Sequence, residues 1–316
     1  MQRLVIDTDP GVDDALALLM AHAHPDAVVE AVLVVAGNAL LGRTVANACT
    51  VLDQIGASTP VYAGCDRPLL LAHAEDTPVH GDDGLGDVGF APSSRTLAPE
   101  HAAAALVRMA SEAPGELTLV CLGPLTNVAV ALALDPMLPL KLARLVIMGG
   151  AVNGKGNTPH LCAEYNIYAD PEAAHVVLTR WQAAGRLFDL VDWEVTVAHA
   201  VPGPVFDGWL TLGTPLSRFF GDVSAKLMSF IERWSGQRVF PAADPLAMAV
   251  ALDPALVTQS ARHVVSVELG GRHSRGMTVV DWMQRSGGAA NASIVLGVDT
   301  ARFHALVEQG LRGRAS

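Results

Sequence analysis

Apolar residues in the first half of the chain fall into short unbroken runs, separated by stretches with helical spacing. Residues 3–8 (RLVIDT) predict a buried strand, and 13–24 (DDALALLMAHAH) a helix that opens on aspartate. A second strand follows at 28–35 (VVEAVLVV), then a helix near 43–56 and a short strand in PVYAG. The alternation continues with a helix near 99–112, strand LTLVCL, helix TNVAVALAL, strand RLVIMGG, helix DPEAAHVVLTRW and strand RLFDLV. Fully apolar strands alternating with helices predict an α/β fold, a mostly parallel central sheet with helices on both faces. Toward the C-terminus, runs near 263–269, 277–282 and 292–298 predict three extra strands close together with antiparallel pairing, before a final helix near 299–312. No repeat and no break in composition divides residues 1–316, so a single domain is expected. Residues 64–98 are rich in Gly, Pro, Asp and His, and a connection that long in a compact domain is usually functional or disordered.

Composition narrows the function. Hydrophobic residues make up 51% of the chain and charged ones 17%, which is a globular balance. The net charge of −11 and the lack of a basic run argue against nucleic acid as a partner. No run approaches the ~20 apolar residues of a membrane span, and the start passes straight into a strand without a secretory pattern, so a cytoplasmic protein is expected. The four cysteines are far apart and have no zinc spacing.

The chemistry concentrates after the first strand, where Asp7, Asp9, Asp13 and Asp14 stand within eight residues. Two unit charges about 5 Å apart repel by roughly 3 kcal/mol at an effective dielectric near 20. Helix capping accounts for Asp13 and Asp14 at most; a hard cation accounts for all four. An EF-hand is excluded, because counting from Asp7 the sixth residue is Val12 and the twelfth Leu18. Asp7-Thr8-Asp9 partly matches a haloacid dehalogenase-type phosphatase, which is kept as an alternative. GGAVNGKG at 149–156 misses a P-loop, since Gly156 replaces the hydroxyl residue and Pro159 interrupts the helix that should follow. In parallel sheets ligands lie beyond the carboxyl ends of the strands, and Asp7–Asp14, Gly37–Asn38, Gly123–Asn127 and Gly149–Asn166 all fall there.

DTDPGVDDA closely resembles the N-terminal fingerprint of the inosine–uridine nucleoside hydrolases, calcium-dependent N-ribohydrolases. VAGN at 35–38, HGDDGLG at 80–86, GPLTN at 123–127, MGG at 148–150 and AEYNIYADPEAA at 163–174 follow in that family's order. The match runs from about residue 4 to residue 250. The resemblance implies that Asp9, Asp14, Asp244 and the Thr126 carbonyl hold Ca²⁺, with Asp9 taking a proton from the attacking water. It implies that Asp13 grips the ribose 2-hydroxyl, and that Asn38 and Asn166 orient hydroxyls and water. Asn157 and Glu164 would hold the 5-hydroxyl, and Met148 and Tyr165 would line the ribose, with Asp244 touching sugar as well as metal. Asp7 is read as support for the ligands. The substrate is then a small ribonucleoside, ribose is preferred over 2-deoxyribose, and the assembly is a homodimer or homotetramer.

The pattern departs from the family at Ala243. Many members have there a histidine that protonates the leaving base, and alanine cannot. His80 is the replacement candidate for catalysis, and Trp234 (or Arg233) for contact with the base. The rival function is a calcium-dependent nucleoside-binding protein with little turnover. Taken singly, each candidate also has a bland reading: Asp244 as a helix cap before Pro245, Asn38 and Asn127 as turn or cap residues, Glu164 and Asn166 as solvated loop, His80 as a surface histidine.

Overall fold

The computed structural model describes residues 1–71 and 79–314; part of the long connection between 64 and 98 thus lies outside the described residues. The strands are β1 (Gln2–Thr8), β2 (Ala27–Val34), β3 (Val61–Ala63), β4 (Leu117–Cys121), β5 (Arg144–Met148), β6 (Phe188–Val191), β7 (Val201–Pro202), β8 (Val239–Phe240), β9 (Val257–His263), β10 (Val265–Val267), β11 (Thr278–Val280) and β12 (Ala292–Val298). The helices are α1 (Val12–Ala23), α2 (Leu41–Ile55), α3 (Ala102–Glu112), α4 (Thr126–Leu134), α5 (Leu138–Lys141), α6 (Tyr165–Ala169), α7 (Pro171–Ala183), α8 (Trp193–Ala198), α9 (Gly203–Leu210), α10 (Pro215–Ser235), α11 (Ala243–Leu252) and α12 (Thr300–Arg312). None is long and apolar enough to cross a membrane among the described residues.

The main sheet has the order β3-β2-β1-β4-β5-β6-β12-β9, parallel except for β9 at its edge. Helices cover both faces and two apolar cores result. In β1, Leu4 and Ile6 point into one core and Val5 into the other, which is why the strand reads as one apolar run. α1 is buried almost all round because it packs against α11 and α12 as well as the sheet. Each of its fully buried leucines contributes about 1.5–3 kcal/mol of transfer energy.

The order reverses about β1. The chain runs from β1 outward to β3, then returns to place β4 on the other side. Such a switch point opens a crevice at the carboxyl ends of β1 and β4.

The C-terminal strands differ from expectation. β10 and β11 form their own antiparallel pair, whereas β12 enters the main sheet, parallel to β6 and antiparallel to β9. β12 is buried at most of its positions and can occupy the interior of a sheet; β9 has no fully buried position and suits an edge. Cys49 and Cys121 are buried, but Cys162 is only half-buried, its thiol donating to the His273 carbonyl.

Candidate active site

The turn Asp9–Gly11 leaves β1 at the switch point. Asp9 is fully buried; its Oδ2 accepts the Asn38 amide at 2.7 Å, and its Oδ1 has no partner among the described residues. A Cβ at Gly37 would lie 1.9 Å from Asp9 Oδ2, and one at Gly123 would lie 2.4 Å from Oδ1. Two glycine-bearing loops can therefore close on this carboxylate from both sides.

α1 begins at Val12 with Gly11 as its cap, so Asp14 stands at the third helical position. Its Oδ2 accepts the Gly11 amide at 2.8 Å and the Asn38 side-chain amide at 3.1 Å, and its Oδ1 accepts the Thr8 hydroxyl. Capping thus explains part of Asp14. It does not explain Asp244: α11 starts at Ala243 with Ala242 as cap, and Asp244 sits inside the first turn, 3% exposed.

Carboxylate oxygens of Asp13, Asp14 and Asp244 lie within 4.8 Å of one another. Burial first, then repulsion from Asp14, pushes Asp9 well above the usual carboxylate range; burial and then Asp13, Asp14 and Asp9 do the same to Asp244. Asp14 is raised by burial and by Asp13, and burial takes Asp13 up to about 6. Desolvated like charges at this spacing require a compensating cation or protons. An all-oxygen donor set with one unpartnered buried oxygen, Asp9 Oδ1, fits a hard divalent cation. Thr126 opens α4, three residues after Gly123, whose backbone abuts Asp9. Its hydroxyl donates to Asp170 Oδ2 at 2.7 Å, which leaves its carbonyl as the candidate donor.

Asp7 is held by Asn127, whose Nδ2 donates to Asp7 Oδ2 at 2.8 Å and whose Oδ1 accepts the Cys65 amide at 2.8 Å. Burial pushes the Asp7 carboxyl up to about 7. Asn127 is neither a turn nor a cap residue, since it lies within α4.

The opposite wall comes from β5 and α6. Glu164 caps α6: Oε2 accepts the Gly150 and Ile167 amides at 2.8 and 3.2 Å, Oε1 accepts the Asn166 amide at 2.9 Å, and burial takes the carboxyl up to about 7. Asn166 donates its side-chain amide to the Leu122 and Met148 carbonyls at 2.7 and 3.3 Å. Glu164 and Asn166 are 2% and 6% exposed, so neither is solvated loop. Asn157 Oδ1 accepts the Tyr165 amide at 2.9 Å, and the Tyr165 hydroxyl donates to the Gly37 carbonyl at 2.7 Å.

His80 is no bare surface histidine. Its Nδ1 accepts the Val12 amide at 3.1 Å and lies 4.0 Å from Asp13 Oδ1. With that amide donating, the neutral ring carries its proton on Nε2. Asn47 ties the His80 loop to the aspartate turn, donating to the Pro10 and Asp83 carbonyls at 3.0 and 2.9 Å. Trp234 is not brought in: its indole is 79% exposed and makes no ring or hydrogen-bond contact with these residues.

Known proteins resemble this chain in sequence and in fold. Residues 4–305 match the family model for inosine-uridine preferring nucleoside hydrolase. The chain belongs to that family. As a member it hydrolyses the N-glycosidic bond of nucleosides. It is 32% identical over 314 residues to the pyrimidine-specific ribonucleoside hydrolase RihB of Shigella flexneri serotype 5b, covering 99% of this chain and 97% of that one. Among solved structures, an inosine-guanosine nucleoside hydrolase superposes with a TM-score of 0.93 at 34% identity, covering 99% of both chains. A purine-preferring ribonucleoside hydrolase from Gardnerella vaginalis gives 0.89 at 28%, covering 98% of both.

The motif reading of this nucleoside hydrolase missed several supports. Asp170, Asn47 and the Asn127–Asp7 bond carry no local signature, although Asn127 and Asp170 lie inside the motifs GPLTN and AEYNIYADPEAA.

Proposed function

We propose that this nucleoside hydrolase acts on ribonucleosides with Ca²⁺ held by Asp9, Asp14, Asp244 and the Thr126 carbonyl, and with Asp9 as the base. The observation that carries the reading is the buried Asp9 carboxylate, fixed at Oδ2 by the Asn38 amide while Oδ1 stays unpartnered. A base needs its carboxylate held in place with lone-pair capacity left over to take a proton. A bound cation supplies positive charge that keeps the clustered carboxylates ionised and makes a neighbouring water more acidic.

The remaining work falls to the chain's own groups. Asp13 accepts the ribose 2-hydroxyl, Asn38 and Asn166 orient hydroxyls and water, and Asn157 and Glu164 hold the 5-hydroxyl. Met148 and Tyr165 flank the sugar. Buried carboxylates beside it favour the positive charge that develops at the anomeric carbon. With alanine at 243, His80 is the candidate donor to assist the departing base. No comparable support exists for Trp234. The named relatives divide between pyrimidine and purine, so the test must cover both. The assembly proposed is a homodimer or homotetramer.

The test is release of free base from purine and pyrimidine ribonucleosides, with calcium and then with chelator. Calcium-dependent release from at least one nucleoside is expected; binding of ribose without release from any would favour the binding-protein reading. Repeating the panel with His80→Ala examines the donor, and unchanged kcat/KM on every nucleoside would dispose of it.

A further inference from the structure

We propose that Tyr165 is a positioning residue for Asp9, acting through the peptide unit that joins Gly37 to Asn38; this rests on the reading of Asp9 given above. The Tyr165 hydroxyl donates to the Gly37 carbonyl at 2.7 Å, and the amide of the same peptide unit, Asn38 N–H, donates to Asp9 Oδ2 at 2.7 Å. One rigid, planar group is therefore hydrogen-bonded at both ends. Accepting a bond at its oxygen polarises an amide and strengthens the bond its N–H donates, so the hydroxyl and the carboxylate are coupled without touching.

The local packing suits such a link. Glycine at 37 lets the peptide lie directly against the carboxylate, since a Cβ there would fall 1.9 Å from Asp9 Oδ2. Asn38 also spends its side chain on the metal cluster, donating to Asp14 Oδ2 at 3.1 Å and to the Asp9 carbonyl at 3.3 Å. A hydroxyl that pins this peptide pins two of the four carboxylates. Tyr165 is itself anchored on the far wall, where its amide donates to Asn157 and the preceding Glu164 caps α6. The tyrosine thus spans the crevice from α6 to the loop after β2, and the ring face lining the sugar is a separate property from the hydroxyl.

Tyr165→Phe separates the two, because it keeps the ring and removes the hydroxyl that donates to the Gly37 carbonyl. The expected result is a kcat lowered about 5- to 10-fold with KM within about twofold, the size expected for loss of the bond to Gly37. Calcium affinity, read by calorimetry on the free protein, is expected to fall by a similar factor. A variant with wild-type kcat and wild-type calcium affinity, or one changed in KM alone, would overturn the proposal and leave Tyr165 as a ribose wall. Asp9→Asn serves as the control. If wild type and Asp9→Asn turn over equally, the assignment of Asp9 as base fails; the calcium arm still reads the link, since it needs no turnover.

Discussion

Asp9 shows how little a residue's type says about its role until its two oxygens are followed separately. One is fixed by a backbone amide and the other is buried without a partner among the described residues. Asp244 makes the same point through charge. It is buried, inside a helix's first turn, and repelled by Asp13, Asp14 and Asp9. Removing one of several crowded buried charges relieves the others. Asp244→Asn is therefore expected to leave the melting temperature in chelator equal to or above that of wild type, while abolishing stabilisation by calcium. A variant that is less stable in chelator yet still stabilised by calcium would show that Asp244 is structural. The aspartates at the end of β1 and the start of α1 were legible as a candidate cation site because their spacing is local; the choice of Asp244 from among the later aspartates rested on the family motif.

At the scale of elements, the loop after β5 illustrates how a site wall is held. Asp192 caps α8 through Val195 and also accepts the Val152 amide, both at 2.9 Å, while Glu194 accepts the Asn153 and Lys155 amides at 3.0 and 2.9 Å. Burial raises the Asp192 carboxyl to about 6, against about 3.9 for an ordinary aspartate. Between those values the folded chain keeps a proton that the unfolded chain has lost, so stability falls as pH rises through the window and levels above it. Unfolding free energies of wild type and Asp192→Asn from urea titrations, measured from about pH 4 to about pH 7, should differ by a bend on the order of 3 kcal/mol. Parallel curves would place the Asp192 carboxyl at its ordinary value. Elements with local punctuation were readable in outline, and α10 could have been read as well. It starts at Thr214–Pro215, ends at Gly236 in the left-handed region, and presents one buried stripe. The pairing of β12 was not readable, because an apolar run does not state its neighbour.

In the whole molecule, the switch point gathers β1, the loop after β2, the starts of α4, α6 and α11, and the 80–86 loop into one crevice. Binding energy at such a place is also folding energy, since the unfolded chain scatters the ligands. Calcium at about 100 times its Kd should therefore add about 2.7 kcal/mol to the unfolding free energy. Thermal melts across a calcium series, reversed by chelator, check this. A melting temperature indifferent to calcium would argue for a different ion or none.

By itself the sequence determined the alternating strands and helices, the two-sided burial of the sheet, and the glycines and aspartates of the site, because periodicity, turn chemistry and motif spacing are all local. Only the tertiary structure decided that Trp234 stays in solvent, that β12 leaves its expected partners for β6 and β9, and that the Tyr165 hydroxyl meets the Gly37 carbonyl 128 residues away. Those outcomes depend on which surfaces meet when the helices close over the sheet. A hydrogen bond between distant segments leaves no periodic trace along the chain that makes it.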